Sequence, residues 1–193
     1  MRTRLLIVLG ALAIALAVAA PAGAAGLEQS TQPVFTIGPG HVFVDWVPGA
    51  TSTVERTANG ISITLQTSGL PEGHAITMWA LIFNNPGACP AGGCDESRGD
   101  LGLAGVQGSV QHVTGHIFGS TGTFSGYVAV GDAASAFIGP GLLDPFGAEI
   151  HLIVRDHGVL SPDIITDQFN NDSPRFCNVA CFDIQKSVHL AHE

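Results

Sequence analysis

The stretch "ISITLQTSGLPEGHAITMWALIF", Ile61 to Phe83, decides the fold class. Ile61, Ile63 and Leu65 alternate with Ser62, Thr64 and Gln66, the period of two expected of a strand with one face buried. "GLPEG" (Gly69 to Gly73) then turns the chain. "HAITMWALIF" (His74 to Phe83) is apolar on both faces, which predicts a central strand covered on both sides. Upstream, "TSTVERT" (Thr51 to Thr57) reads as the partner of "ISITLQT" across the "ANG" turn, Asn-Gly being a hairpin signal. Downstream, "SVQHVTGHIF" (Ser109 to Phe118) and "TFSGYVAV" (Thr123 to Val130) are expected to form another hairpin across "GSTG" (Gly119 to Gly122). The opening segment, "IHLIVRD" (Ile150 to Asp156) and "DIQKSVHL" (Asp183 to Leu190) supply further strands. Only Ala133 to Phe137 and Pro162 to Phe169 invite short helices. The expectation is an all-β protein, an antiparallel Greek-key sandwich or barrel with long disulfide-stapled loops. It should form one domain over residues 34–193.

The N-terminus has the parts of an export signal. Met1 to Arg4 is basic, Leu5 to Ala19 is uninterruptedly apolar, and "APAGAA" (Ala20 to Ala25) supplies the small residues that signal peptidase needs. The apolar core falls short of the roughly 20 residues of a membrane span. Residues 1–25 therefore read as a cleaved signal peptide and residues 26–33 as a flexible leader. The destination is secreted, periplasmic or cell-surface, with no membrane insertion after cleavage.

The chain carries a formal net charge of −9, and losing Arg2 and Arg4 with the signal makes it more negative still. That field repels nucleic-acid phosphates and anionic lipid, so neither is an expected partner. Four cysteines in an exported chain should be paired. Cys89 with Cys94 and Cys177 with Cys181 give two local staples as the simplest connectivity, although four cysteines allow three pairings. A zinc site lacks the C-x-x-C pair it would want.

The 21 residues Gly69 to Cys89, "GLPEGHAITMWALIFNNPGAC", can be laid without a gap over one region of the copper/zinc superoxide dismutases. In that family the region runs from a Gly-Leu-x-x-Gly turn, through a His-x-His strand, to a disulfide cysteine. Gly69, Leu70, Gly73, Asn85 and Cys89 fit. "LIVRDHG" (Leu152 to Gly158) resembles the family's second copper strand, and "PFGAEIHL" (Pro145 to Leu152) is similar to a strand of the secreted CHRD domains. The resemblance covers about a quarter of the exported chain and implies a dismutase-like sandwich. It does not imply dismutase chemistry. The His-x-His positions fall on Met78 and Ala80, the third copper histidine falls on Arg155, and the bridging histidine falls near Asp95. Arginine stays protonated and repels a cation.

The histidines offer a different candidate. By strand parity Glu149, His151, Ile153, Arg155 and His157 share one face, as do His112, Thr114 and His116, and Asp183, Gln185, Ser187 and His189. If the three strands are neighbours, their outer faces form a polar patch, and His112, His116, His151 and His157 become the candidate ligands for zinc or copper. Against this, two histidines four apart on a strand stand roughly 13 Å apart. No Gly-x-Ser-x-Gly elbow accompanies the His157 and Asp156 pair with Ser161 or Ser187. His74 reads as a strand start, and His41 and His192 lie near the ends.

Two loops stand out as binding segments. The loop Cys89 to Asp100 contains an Arg-Gly-Asp tripeptide, Arg98 to Asp100, and Asp95, Glu96 and Asp100 could gather calcium outside any EF-hand spacing. The loop Gly131 to Gly147 presents Phe137 and Phe146 among glycines and prolines. Asn171 to Ser173 matches an N-x-S acceptor. The expected function is a secreted non-catalytic binding or structural module with an extracellular partner or small ligand, no catalytic residues and no cofactor. A metal-binding protein or metal-dependent enzyme on the histidine patch is the alternative, and a small apolar-ligand carrier a second one.

Overall fold

The computed structural model describes residues 26–90, 93–117, 119–170 and 181–192. Residues 1–25, read as an export signal, the N-x-S acceptor and Cys177 lie outside the described residues. Among the described residues nine strands form: β1 (Glu28–Ile37), β2 (Phe43–Thr57), β3 (Gly60–Ser68), β4 (His74–Phe83), β5 (Gly108–Ile117), β6 (Thr121–Ala129), β7 (Ala136–Ile138), β8 (Glu149–Val159) and β9 (Phe182–His189). A short helix, α1 (Ile165–Asn170), follows β8. The strands make one antiparallel sheet in the order β6-β3-β2-β1-β9-β8-β4-β5-β7, curled into a half-barrel. β1, β2 and β3 run as a meander. The chain then crosses to the other half for β4 and β5 and returns to lay β6 beside β3, a Greek-key path.

The β2–β3 hairpin forms as its turn chemistry requires, with Thr57 opposite Gly60 and Val54 opposite Ile63. The expected hairpin between β5 and β6 does not form. β5 pairs with β4 and β7, whereas β6 pairs along its whole length with β3, so the "GSTG" segment carries the chain from one half of the sheet to the other. The two strands still meet where the curl nearly closes. A Cβ on Gly126 would stand 2.4 Å from Val113 Cγ1, so a side chain there would force the seam apart.

Residues 26–33 are not a flexible leader. Glu28 to Pro33 pair one by one with Arg56 to Thr51 as the first half of β1. The segment is poor in apolar residues because its inward face meets a polar part of the interior. Ser30 Oγ lies 2.8 Å from His189 Nδ1, and Ser52 Oγ lies 2.8 Å from His189 Nε2 and 2.6 Å from Ser187 Oγ. Ala133 to Phe137 is not a helix either, since it turns into β7. Pro162 to Phe169 is helical as expected, a 3-10 turn leading into α1.

β4 is covered on both faces, as its composition predicts. Ile76, Met78, Ala80 and Ile82 join Ile150, Leu152 and Val154 of β8, with Ile61, Ile63, Leu65 and Phe124, in the main core inside the curl. On the opposite face Trp79, Leu81 and Phe83 pack with Ile153 and Val106 under the Cys89–Cys94 disulfide loop. Each such burial is worth roughly 1.5–3 kcal/mol.

At one end of the curl, fully buried Arg56 closes the interior. Its guanidinium donates to the carbonyls of Pro145, Ala148 and Leu190, tying the Gly131–Gly147 loop and the chain's end to β2. Arg56→Met should leave three carbonyls without their donor and lower unfolding stability by about 3 kcal/mol. Urea denaturation would measure the loss, and hydrogen exchange should rise first in the Gly131–Gly147 loop.

Candidate functional site

The outer face of β4, β8 and β9 carries a cluster of charges held largely out of water. Its hub is Glu96, which lies on a 3-10 turn (Glu96–Arg98) just after the Cys89–Cys94 disulfide. The Glu96 carboxylate accepts from Lys186 Nζ at 2.7 and 2.8 Å. It also lies 2.8 Å from His151 Nδ1 and 3.1 Å from His41 Nδ1. His151 Nε2 is in turn 2.7 Å from Glu149 Oε1, and Phe83 stacks against the ring at 4.7 Å between centroids. A carboxylate only accepts, so both His151 contacts are hydrogen bonds when the ring carries both protons. The side chains of Glu96, Lys186 and His151 are at most 5% exposed.

Burial alone would raise the Glu96 carboxyl pKa. Hydrogen bonds from His151 and Lys186, and their charges, outweigh that effect and bring it to about 2. A second pair adjoins the hub. Arg155 grips Asp183 at 2.5 and 3.1 Å, and its guanidinium lies 6.0 Å from the Trp79 ring centroid. His41 links the two, with Nε2 3.4 Å from Asp183 Oδ2. Its backbone sits at φ 60, a left-handed conformation uncommon outside glycine, in the tight turn Pro39–His41.

Four of these groups, His41, Glu96, Arg155 and Asp183, wall a pocket of about 250 Å³. Trp79, Leu81 and Ile153 form its floor, Leu101 and Val110 its sides, and Ile138 of β7 its lip. Phe137 extends the aromatic surface, its ring edge-on to Trp79 at 6.4 Å. The two loops singled out in the sequence therefore meet at one cavity, Glu96 on one side and Phe137 with Ile138 on the other. Phe146 lies elsewhere, its carbonyl accepting from His192 N–H at 3.0 Å.

The Arg-Gly-Asp tripeptide is folded onto itself. Arg98 Nη2 donates to Asp100 Oδ2 at 2.8 Å, the Asp95 N–H donates to the same oxygen at 2.8 Å, and Asp100 is 2% exposed. A receptor would find the acid already used. Asp95, Glu96 and Asp100 do not converge as oxygen donors, because protein cations and N–H groups occupy them.

The four candidate metal histidines do not come together. A bulge in β5 between the residues opposite Met78 and Trp79 reverses the strand's parity, so His112 packs against Trp79 while His116 pairs across from Ile76 and faces Phe124. His151 and His157 do share a face of β8. Six residue steps along the strand separate them, roughly 20 Å. His157 Nε2 lies 2.8 Å from Thr77 Oγ1, and its Nδ1 lies 3.3 Å from Sγ of Cys181, which is itself disulfide-bonded. A second bulge, in β9, sends Gln185, Ser187 and His189 inward and leaves Asp183 outside with Arg155. Among the described residues no three His, Cys, Asp or Glu side chains are grouped to hold a metal ion.

Met78 and Ala80 face the interior, and the outward positions of β4 beside Arg155 belong to Thr77 and Trp79. Sequence reading assigns no role to Trp79 or Lys186 and little to His41. One signal was available, because Lys186 shares strand parity with Ile184 and Val188, and a lysine on an apolar face needs a buried acid.

The chain matches no family model, no curated protein and no solved structure. The Cys89–Cys94 disulfide is consistent with an oxidising compartment outside the cytoplasm. No helix among the described residues is long and apolar enough to cross a membrane.

Glu96→Gln should strand the Lys186 ammonium and cost about 3–5 kcal/mol of stability. Adding Lys186→Met should recover part of that loss in a double-mutant cycle. Acid should act in stages. Burial, then repulsion by Arg155, depresses the His157 pKa to about 4; burial, then Arg56, depresses His189 to about 3. Their contribution is complete above the ordinary value of 6.5 and is lost as pH falls toward 4 and 3, where the unfolded chain binds the extra protons. Glu96 adds a later loss, from 4.5 down to about 2. The melting temperature should therefore fall continuously below pH 6.5, and His157→Gln should flatten the first part of that fall.

Proposed function

We propose that this chain is a non-catalytic binding module of an exported compartment and that its ligand seat is the pocket over Trp79. One observation carries the reading: the two loops of the sandwich face each other across a cavity with an apolar floor, while the reactive-looking groups around it are already committed. Glu96 is occupied by Lys186 and two histidines, and Asp183 by Arg155. The Ser52–His189 contact lies inside the barrel, where both residues are 0% exposed and no substrate reaches them. A rigid sheet with a loop-walled cavity is the usual form of a binding site on a β-sandwich.

In this reading the sandwich is of the dismutase-like kind. The Greek-key strand order supports it, as does the outward placing of Arg155 opposite Thr77 on adjoining strands. Arginine stands there where the copper enzymes of that fold have histidine. With Met78 and Ala80 turned inward, the gapless correspondence shifts by one residue on β4, and Thr77 and Trp79 take the positions of the His-x-His pair.

Saturation-transfer NMR of a fragment library against the wild type and Ile138→Trp tests the site. Ile138 is half-exposed at the lip, so tryptophan should obstruct the pocket without touching the core. Fragments that bind the wild type and lose their signal in the variant are expected. A library that gives the same result for both proteins would overturn the reading.

A further inference from the structure

We propose that the pocket takes uncharged aromatic compounds of about two fused rings bearing one hydrogen-bond donor, the chemistry shared by naphthols and indoles; this rests on the pocket being the ligand seat. Size comes first. A cavity of about 150 Å³ lined by apolar side chains is enough for benzene, and this one, open to solvent on one side, measures about 250 Å³, room for a second ring. Trp79, Leu81 and Ile153 close its base, and the half-buried Leu101 and Val110 with exposed Ile138 supply the apolar surface a ring would touch.

Aromatic edges set the shape. Trp79 already meets His112 at 5.1 Å and Phe137 at 6.4 Å in T-shaped contacts. Phe137 and Ile138 are nevertheless 54% and 53% exposed at the rim. A flat ring seated in the pocket would cover part of both and meet the exposed Phe137 ring.

The polar rim sets the charge and the donor. The cation on the pocket wall, Arg155, is matched to Asp183, so an ionised ligand of either sign would have to compete with that pair to enter. The Glu96 oxygens take four contacts, two from Lys186 and one each from His151 and His41, which uses a carboxylate's capacity. Asp183 takes three, two from Arg155 and one from His41, and retains an acceptor site on the pocket wall. That site suits a phenolic O–H or an indole N–H and repels a carboxylate.

Calorimetric titration of the exported protein with 2-naphthol, 2-naphthoate and 1-adamantanol at pH 7 separates these terms. The expected result is 2-naphthol binding tighter than either of the others by about ten-fold or more, weakened in Phe137→Ala and abolished in Ile138→Trp, with both variants melting near the wild type. Equal or tighter binding of 2-naphthoate or adamantanol would overturn the ligand class and leave the pocket reading in place. So would fragments of another class displaced by Ile138→Trp while 2-naphthol fails to bind. Naphthol binding unchanged in both variants would overturn the site. Binding of none of the three, with no fragment sensitive to Ile138→Trp, would overturn both readings.

Discussion

A single carboxylate holds the outer face of this protein together. Glu96 comes from a loop, yet it is nearly sealed from water among Lys186 of β9, His151 of β8 and His41 of the β1–β2 connection. The loop and the β1–β2 connection are thereby fastened to the adjoining strands β8 and β9. Removing a charge from water is expensive, and the expense is offset only when every oxygen is answered by a donor. The same condition explains the strained backbone of His41, whose ring reaches both Glu96 and Asp183 from one tight turn.

The cavity exists because that fastening lifts the disulfide loop over the sheet without filling the space above Trp79. On the inner side of β4 and β8 the core is closed and aliphatic. On the outer side the aromatic and aliphatic residues meet a charged wall, and a gap remains between them. One strand thus serves two environments, which is why β4 is apolar on both faces yet only one of them borders a site.

Much of the architecture was legible from periodicity. The alternation in Ile61 to Gln66, the doubly apolar run His74 to Phe83 and the Asn-Gly turn led to β3, β4 and the β2–β3 hairpin, because strand burial and turn geometry are local properties of the chain. The first half of β1 was missed because its inward face meets a polar part of the interior around Ser52, Ser187 and His189, which leaves no hydrophobic pattern to read. The β5–β6 hairpin was wrongly expected because a short polar connection looks the same whether its strands pair or part. The histidine patch failed for a different reason: one-residue bulges in β5 and β9 reverse side-chain parity, and nothing in a single sequence marks them.

By itself the sequence determined the all-β class and the burial of β4 on both faces. Each of these follows from contacts within a few residues or from composition. Only the tertiary structure decided which charges meet. Glu96 lies 55 residues from both His41 and His151 and 90 from Lys186, and a partner so distant is chosen by how the sheet curls and where its bulges fall. The pocket over Trp79 has the same origin, being a space between segments that no segment encodes alone.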